Sequence, residues 1–89
     1  MRELLTTKQF KKDLKRAKKR GKSGETLQDI LNNLVNDIPL DPRHKPHRLI
    51  GDWAPCWECH IEPDWLLIWD EDDSSVTLIR TGTHSDLFK

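Results

Sequence analysis

Residues 56–69 read CWECHIEPDWLLIW, and their pattern indicates the class of fold more clearly than any other segment. Apolar and polar side chains alternate over residues 56–62, as they do in a β-strand with one buried face. The alternation places His60 on one face and leaves the other face apolar, with Trp57, Cys59 and Ile61. Pro63-Asp64 predicts a turn, and the continuous apolar run Trp65–Trp69 predicts a central strand. The stretch therefore predicts an antiparallel hairpin within a sheet.

The residues before this hairpin predict a short strand and two helices. The strand is predicted over residues 2–6. Thr6 is a suitable N-cap for a helix that ends near Arg20-Gly21, because its hydroxyl accepts hydrogen bonds from the free N–H groups of the first turn. A second helix begins near Ser23, carries an apolar stripe at helical spacing and stops at Pro39. The two helices share an apolar side that needs a sheet to cover it.

Further strands complete a single domain of the α+β class. Residues 47–53 predict a strand beside the His60 strand, and residues 76–80 predict the last strand before a tail that lies close to the sheet. The predicted fold is an N-terminal strand, a two-helix hairpin, and then antiparallel strands that form a twisted sheet covered on one face. We expect one domain over residues 1–89, because this length has no room for a second core.

The composition limits where the chain works and what it contains. With 35% hydrophobic and 34% charged residues, the chain is expected to be soluble, with a small core. No stretch approaches the roughly 18 apolar residues of a membrane span, and no signal-peptide pattern opens the chain. We therefore expect a cytoplasmic protein with no membrane partner. Its two cysteines, Cys56 and Cys59, are too few for a disulfide framework.

The charges are balanced overall but unevenly distributed. Residues 1–48 hold 13 Lys or Arg and 6 Asp or Glu, a balance of +7, and residues 49–89 hold 2 and 9, a balance of −7. Much of the positive charge falls on the first predicted helix, including Lys11, Lys15 and Lys18. Such a surface is typical of contact with nucleic-acid phosphates or an acidic peptide, although a merely solvated helix has the same pattern.

Groups that can move protons or hold a phosphate cluster in the second half of the chain. The predicted strand order brings several of them toward one concave sheet face: His47, His60, Asp64, Arg80 and His84. A chain this small supports little cofactor chemistry, but it can cleave RNA, because the ribose 2′-OH serves as the nucleophile. That reaction needs a base, an acid and a cation near the phosphate. It leaves a 2′,3′-cyclic phosphate, and DNA resists it.

Residue types allow roles to be assigned within this cluster. His84 is the candidate acid, and either Asp64 or His60 is the candidate base, because imidazole titrates near neutral pH. Arg80 is expected to face the phosphate, unless it pairs with a strand glutamate (Glu58 or Glu62), and His47 is expected to assist by orientation or charge. Two aromatic residues, Trp65 and Phe88, are candidates for stacking on bases, although Trp65 also has the position of a core residue.

Three strings of this sequence resemble the YafQ branch of the RelE superfamily, small bacterial toxins of toxin–antitoxin pairs. They are residues 46–53 (PHRLIGDW), residues 60–68 (HIEPDWLLI) and residues 80–84 (RTGTH) with Leu87-Phe88 nearby. The resemblance implies a RelE-like, microbial-ribonuclease fold and cleavage of mRNA on translating ribosomes without a metal or other cofactor. It also implies catalytic roles for the matching residues, which are His47, His60, Asp64 and His84, and a supporting role for Phe88.

The resemblance implies partners as well. A cognate antitoxin blocks such toxins, and the toxin–antitoxin complex can bind operator DNA. We expect ribosomal RNA to be contacted by the basic helix through phosphates, and an acidic antitoxin segment to dock there or cover the histidines. Other branches of the superfamily use Lys, Arg and Tyr in catalysis. This chain has no Tyr, so it fits the histidine-rich branch.

Two other functions compete with this interpretation. The pairs His44-x-x-His47 and Cys56-x-x-Cys59, with His60 adjacent, have ligand types that a small zinc-binding domain uses. In a strand, however, positions 56 and 59 point to opposite faces and cannot share one ion. A non-catalytic module that binds nucleic acid or peptide would have the same basic helix, and the intact histidines argue against it.

Overall fold

The computed structural model describes residues 1–88, and Lys89, the last position of the predicted domain, lies outside them. The elements are β1 (Glu3–Thr6), α1 (Lys8–Lys19), α2 (Gly24–Val35), β2 (His47–Arg48), β3 (Trp57–Glu62), β4 (Trp65–Glu71), β5 (Ser75–Gly82) and α3 (His84–Leu87). Two short 3-10 turns, Pro42–His44 and Gly51–Trp53, flank β2. This order confirms the predicted β-α-α-β-β-β-β arrangement, with α3 added in the tail. No helix of residues 1–88 is long and apolar enough to cross a membrane.

One five-stranded sheet organises the molecule, in the order β1-β5-β4-β3-β2. β1 runs parallel to β5, and the other neighbours are antiparallel. β4 lies at the centre because the run Trp65–Trp69 is apolar on both faces, and all five of its residues are buried. The hairpin predicted from residues 56–69 is therefore confirmed as the middle of the sheet.

The two faces of the sheet are covered unequally. On one face, α1 and α2 bury the main core, which includes Phe10, Ile30, Cys59, Leu67 and Leu78. The opposite face carries a smaller apolar cluster, in which Leu87 of α3 packs on Leu66 and Ile68. The predicted α+β sheet with helices covering one face is confirmed, and α3 adds a partial cover to the face expected to be open.

Three predicted boundaries are corrected by local backbone geometry. The cap of α1 is Thr7, not Thr6, and its side chain accepts a hydrogen bond from the backbone of Phe10. α2 ends at Val35 rather than at Pro39, because Asp37 turns the chain with a left-handed φ of 56°. The strand predicted over residues 47–53 is only two residues long.

Candidate active site

His84 and Asp64 form the most closely bonded pair of the site. Nδ1 of His84 lies 2.7 Å from Oδ1 of Asp64, and the backbone N–H of His84 donates to the same oxygen at 3.0 Å. His84 is the first residue of α3, and Asp64 lies in the turn between β3 and β4. A carboxylate only accepts, so the Nδ1 of His84 carries a proton and its Nε2 points away from the carboxylate.

His60 completes this group from the neighbouring strand. Its ring centroid lies 5.6 Å from that of His84. His60 is the cross-strand partner of Leu66, so it lies on the sheet face away from α1 and α2, as predicted. Its Nδ1 is 3.3 Å from the carbonyl oxygen of Pro63, and a carbonyl also only accepts. The Nε2 of His60 is therefore the ring atom left as an acceptor.

The pKa of Asp64 is lowered by its contact with His84. The largest cause is the hydrogen bond from the His84 backbone N–H, followed by the side-chain bond from the same residue, with a small contribution from the charge of Lys22. A carboxylate that is already bonded twice, and whose pKa is depressed, is a weak proton acceptor. The geometry therefore gives Asp64 an orienting function more readily than that of a general base.

His47 lies on the adjoining strand and is bonded on both sides. Its cross-strand partner is Glu58, so its side chain shares a face with His60 two residues further along β3. Nδ1 lies 2.9 Å from the carbonyl oxygen of Lys45, and Nε2 lies 3.2 Å from Oε1 of Glu58. Both ring nitrogens of His47 therefore lie within reach of an oxygen of the protein.

Glu58 is a site residue that the sequence analysis missed. It is only 5% exposed, and within residues 1–88 its Oε2 has no hydrogen-bond partner. Burial of a carboxylate is costly unless it is paired, which makes its contact with His47 more than a surface ion pair. The signal was present in the strand alternation, since Glu58 shares its face with His60, but alternation does not show that this position is buried.

Arg80 does not have the partners considered from the sequence. Its Nε and Nη2 donate to the carboxylate of Asp13 at 2.7 and 3.3 Å, and neither Glu58 nor Glu62 takes part. Asp13 is 2% exposed and also accepts from the backbone N–H of Thr81. Two of the three guanidinium nitrogens thus donate to Asp13 of α1, and the predicted phosphate contact of Arg80 would use the remaining N–H groups of Nη1 and Nη2.

The two predicted stacking residues are placed very differently. Trp65 is 2% exposed and belongs to the main core, so it cannot offer a ring face to a base; its predicted stacking role does not fit the structure. Phe88 is 40% exposed and contacts Trp53 edge to face, with centroids 6.0 Å apart. Phe88 is therefore accessible next to α3, and its contact with RNA stays a prediction.

The basic helix α1 has two kinds of positive residue. Lys11, Lys15 and Lys18 are exposed and make no side-chain bond within residues 1–88, as a polyanion-binding surface requires. Arg16 and Arg20 instead reach toward Asp86 of α3, at 3.7 and 2.7 Å. Only the lysines are therefore free for the predicted contact with ribosomal RNA.

The zinc alternative does not fit the geometry. Cys59 packs in the main core and Cys56 in the cluster on the opposite face, as the strand alternation predicts. Burial raises the pKa of the Cys59 thiol to about 12 and also raises that of Cys56. His44 is buried, with its Nδ1 at the carbonyl of His60. No group of three potential ligands converges among residues 1–88.

Comparison with known proteins identifies relatives along the whole chain. The model of the family described as "Bacterial toxin of type II toxin-antitoxin system, YafQ" matches residues 2–89. The mRNA interferase toxin YafQ of Escherichia coli (strain K12) is 41% identical over 81 residues, which cover 90% of this chain and 88% of the relative.

Solved structures agree with the sequence comparison. The crystal structure of the E. coli DinJ–YafQ complex contains a chain that superposes with a TM-score of 0.92 at 38% identity, covering all of both chains. A copper-bound mutant toxin from Helicobacter pylori superposes with a TM-score of 0.95 at 38% identity, covering 99% of this chain and 100% of that one. The likeness therefore extends over essentially the whole fold.

Proposed function

The chain belongs to the YafQ family of bacterial toxins of type II toxin–antitoxin systems, and we propose that it is an mRNA interferase, an endoribonuclease that cleaves translated mRNA on the ribosome and so inhibits translation. The observation that carries the proposal is the group formed by His60, Asp64 and His84 on one open face of the sheet. Two imidazoles at 5.6 Å between centroids can act on opposite sides of one phosphodiester.

The hydrogen bonds support a division of roles between the two histidines. His60 donates through Nδ1 to the carbonyl of Pro63, so its Nε2 lone pair is available to take the proton from the 2′-OH. The carboxylate of Asp64 provides a counter-charge to a protonated His84, which suits His84 to protonate the leaving 5′-oxygen. We therefore propose His60 as the base, His84 as the acid and Asp64 as the residue that orients His84.

The cationic function belongs to His47 in this mechanism. Its two oxygen partners favour a ring with both nitrogens protonated, which can stabilise charge on the phosphorane. Phosphoryl transfer to the neighbouring 2′-OH with imidazole acid and base needs no metal ion, so we propose a metal-independent reaction. A single general acid or base raises the rate of cleavage by about 10²–10⁴-fold, and this site has one of each.

The partners follow from family membership and charge. We propose that the exposed lysines of α1 contact ribosomal RNA and that a cognate antitoxin neutralises the toxin, as the DinJ–YafQ complex exemplifies for E. coli. The antitoxin complex, and not the free chain, is the species expected to bind operator DNA.

The proposal is tested by comparing wild type with His84→Ala on mRNA positioned on purified ribosomes. New mRNA ends that form with the wild type and are reduced at least about 100-fold with His84→Ala would support it. Ser85→Ala is the matched control, because it shortens the exposed neighbour on the same helix. Equal cleavage by wild type and His84→Ala would contradict the assignment, and inhibition of translation without any cleavage would favour a non-catalytic binding module.

A further inference from the structure

The helix that carries His84 is too short to hold itself in place. α3 has only four residues, His84–Leu87, and one helical turn is not stable in isolation. Asp64 binds its first residue from the β3–β4 turn, on the side of the active site. The rest of α3 must be fixed by other contacts, because the direction of the His84 ring depends on the helix as a whole.

Asp86 supplies polar contacts of this kind, beside the packing of Leu87 on Leu66 and Ile68. Its Oδ2 accepts from Nη1 of Arg20 at 2.7 Å, and Nη2 of the same guanidinium lies 3.4 Å from Oδ1. Oδ2 also accepts from the backbone N–H of Thr83 at 3.0 Å, and the Asp86 N–H donates to the Thr83 hydroxyl at 3.1 Å. These reciprocal bonds form a capping box, so one carboxylate both closes α3 and joins it to α1.

Gly82 shows how closely Asp86 is seated on the end of β5. A Cβ placed on Gly82 would lie 2.9 Å from Cβ of Asp86 and 3.0 Å from its Oδ2. Gly82 does not have a positive φ, so its backbone conformation does not require a glycine. The absence of a side chain instead leaves the space that Asp86 occupies.

Charge and burial favour a positioning function for the contact between Asp86 and Arg20. The Asp86 side chain is 14% exposed and that of Arg20 is 44% exposed. The bond from Arg20 is the largest cause of a pKa of Asp86 well below its usual range, so the carboxylate is charged at any pH at which the protein works. A fork-shaped guanidinium bonded to both carboxylate oxygens fixes direction as well as distance.

We propose that Asp86 and Arg20 are positioning residues that hold α3 so that His84 meets its phosphate. The proposal deepens the proposed function and rests on His84 acting as the acid. It also separates Arg20 from the RNA-binding surface of α1, since Arg20 would act through Asp86 rather than through contact with RNA.

The first test compares Arg20→Ala with Lys19→Ala on ribosome-bound mRNA. Both changes remove one positive charge from the end of α1, so any general loss of RNA attraction is common to both. Because misplacement of a catalytic group costs up to about 100-fold, we expect Arg20→Ala to lower kcat roughly tenfold relative to Lys19→Ala, with similar KM values. Arg20→Lys should recover part of the rate. Equal kcat values for Arg20→Ala and Lys19→Ala would overturn the proposal.

The second test does not depend on activity. The backbone N–H of His84 is the largest cause of the lowered pKa of Asp64, so displacement of α3 should raise that pKa toward its ordinary value. We expect NMR titration of the Asp64 carboxyl to show this rise in Arg20→Ala and not in Lys19→Ala. An unchanged Asp64 titration in Arg20→Ala would overturn the positioning argument. If instead the titration shifts while His84→Ala remains fully active, the proposed function of His84 fails. The contact between Asp86 and Arg20 would then still hold α3 in place, but not for catalysis.

Gly82→Ala provides a variant that leaves every charge in place. The new methyl group would collide with Asp86, so it should displace α3 and give the same fall in kcat and the same shift at Asp64. If Arg20→Ala proves poorly folded, Gly82→Ala still decides the question. Normal cleavage and an unchanged Asp64 titration in a folded Gly82→Ala protein would contradict a role for this contact.

Discussion

At the scale of single residues, the three candidate catalytic histidines share one arrangement. Each ring places Nδ1 within hydrogen-bond distance of an oxygen that can only accept, so Nδ1 is the donor in all three rings. The oxygens belong to Lys45 for His47 (2.9 Å), Pro63 for His60 (3.3 Å) and Asp64 for His84 (2.7 Å). His84 differs from the other two in having a carboxylate at Nδ1, and His47 differs in having Glu58 at Nε2, which suits chemically identical side chains to different functions.

His60→Gln should remove the proposed base while keeping a polar side chain of similar reach. We expect the cleavage rate at saturating ribosomes to fall by about 10²–10⁴-fold, with little change in the affinity for ribosomes. Single-turnover kinetics on positioned mRNA measure both quantities. A rate within about threefold of wild type would show that His60 is not the base and would leave Asp64 as the candidate.

Glu58→Gln should act only through His47. The amide keeps the shape of the carboxylate but removes the charge that favours a cationic His47, so we expect cleavage to slow roughly tenfold. The control is a double-mutant cycle with His47→Ala. If Glu58 works through His47, the double variant cleaves no more slowly than His47→Ala alone; independent, multiplying effects would show a separate function for Glu58.

The sequence revealed the residue types of the site but not their pairings. Strand alternation placed His60 correctly, because a period of two needs only local information. It did not distinguish a stacking Trp65 from a core Trp65, since a central strand is buried on both faces. The pairing of Arg80 with Asp13 joins residues 67 positions apart and depends on how α1 crosses the sheet.

At the scale of elements, the site depends on how α1 and α3 are attached to the end of β5. Two acidic residues make these links: Asp13 of α1 binds Arg80 and the backbone of Thr81, and Asp86 of α3 binds back to α1. The existence of the long helices and strands was predictable from periodicity. The ends of these elements were less predictable. α2 ends at Val35 because Asp37 adopts a left-handed φ, and no apolar pattern marks that position.

Asp13→Ala should destabilise the whole domain. Removal of a carboxylate that is 2% exposed leaves the Arg80 guanidinium and the buried Thr81 N–H without their acceptor. Loss of one partner of a buried ion pair costs about 3–5 kcal/mol, and partial exposure of Arg80 places the expected loss near the lower value. Urea unfolding measures this loss in the free energy of unfolding. Asp29→Ala, an exposed position on α2, should change the free energy of unfolding by less than about 0.5 kcal/mol.

The same carboxylate should make stability depend on pH. Burial raises the pKa of Asp13, but the hydrogen bonds from Arg80, Gln9 and Thr81 outweigh it and leave the pKa below the ordinary value of an aspartate. A depressed pKa contributes stability that is present above the unfolded value and is lost as pH falls through the folded value. We therefore expect wild-type stability to decline below about pH 4 and the decline to be smaller in Asp13→Ala, as measured by urea unfolding at several pH values. Identical pH dependence in both proteins would contradict this assignment.

At the scale of the whole molecule, positive charge is concentrated in residues 1–48, much of it on α1, which packs on the sheet face opposite His60. The N-terminal half has a balance of +7 and the rest −7, and the structure exposes the lysines of α1 without partners among residues 1–88. The α+β fold, the succession of elements along the chain and the basic helix were predictable, because each follows from local pattern or composition. The partial cover that α3 gives to the second face was not, since it depends on a four-residue helix docked by distant contacts.

Replacing Lys11, Lys15 and Lys18 together with alanine should weaken ribosome binding without changing the chemistry. Each phosphate contact that is lost should lower the slope of log affinity against log salt by about 0.7–0.9. We expect weaker binding with a shallower salt dependence and an unchanged cleavage rate once ribosomes are saturating. Unchanged affinity and slope would show that another surface contacts the ribosomal RNA.

The proposed mechanism is attack of a ribose 2′-OH of the mRNA on the adjacent 3′-phosphate, under acid and base catalysis by histidines. Its most direct test uses wild-type toxin stripped of metal with a chelator before the assay, and ribosome-bound mRNA with a single 2′-deoxynucleotide at the cleaved position. We predict that the all-ribose mRNA is cut to leave a 2′,3′-cyclic phosphate and that the deoxy-substituted mRNA stays intact at that bond. Cleavage of the substituted bond, or a 5′-phosphate on the downstream fragment, would contradict the mechanism.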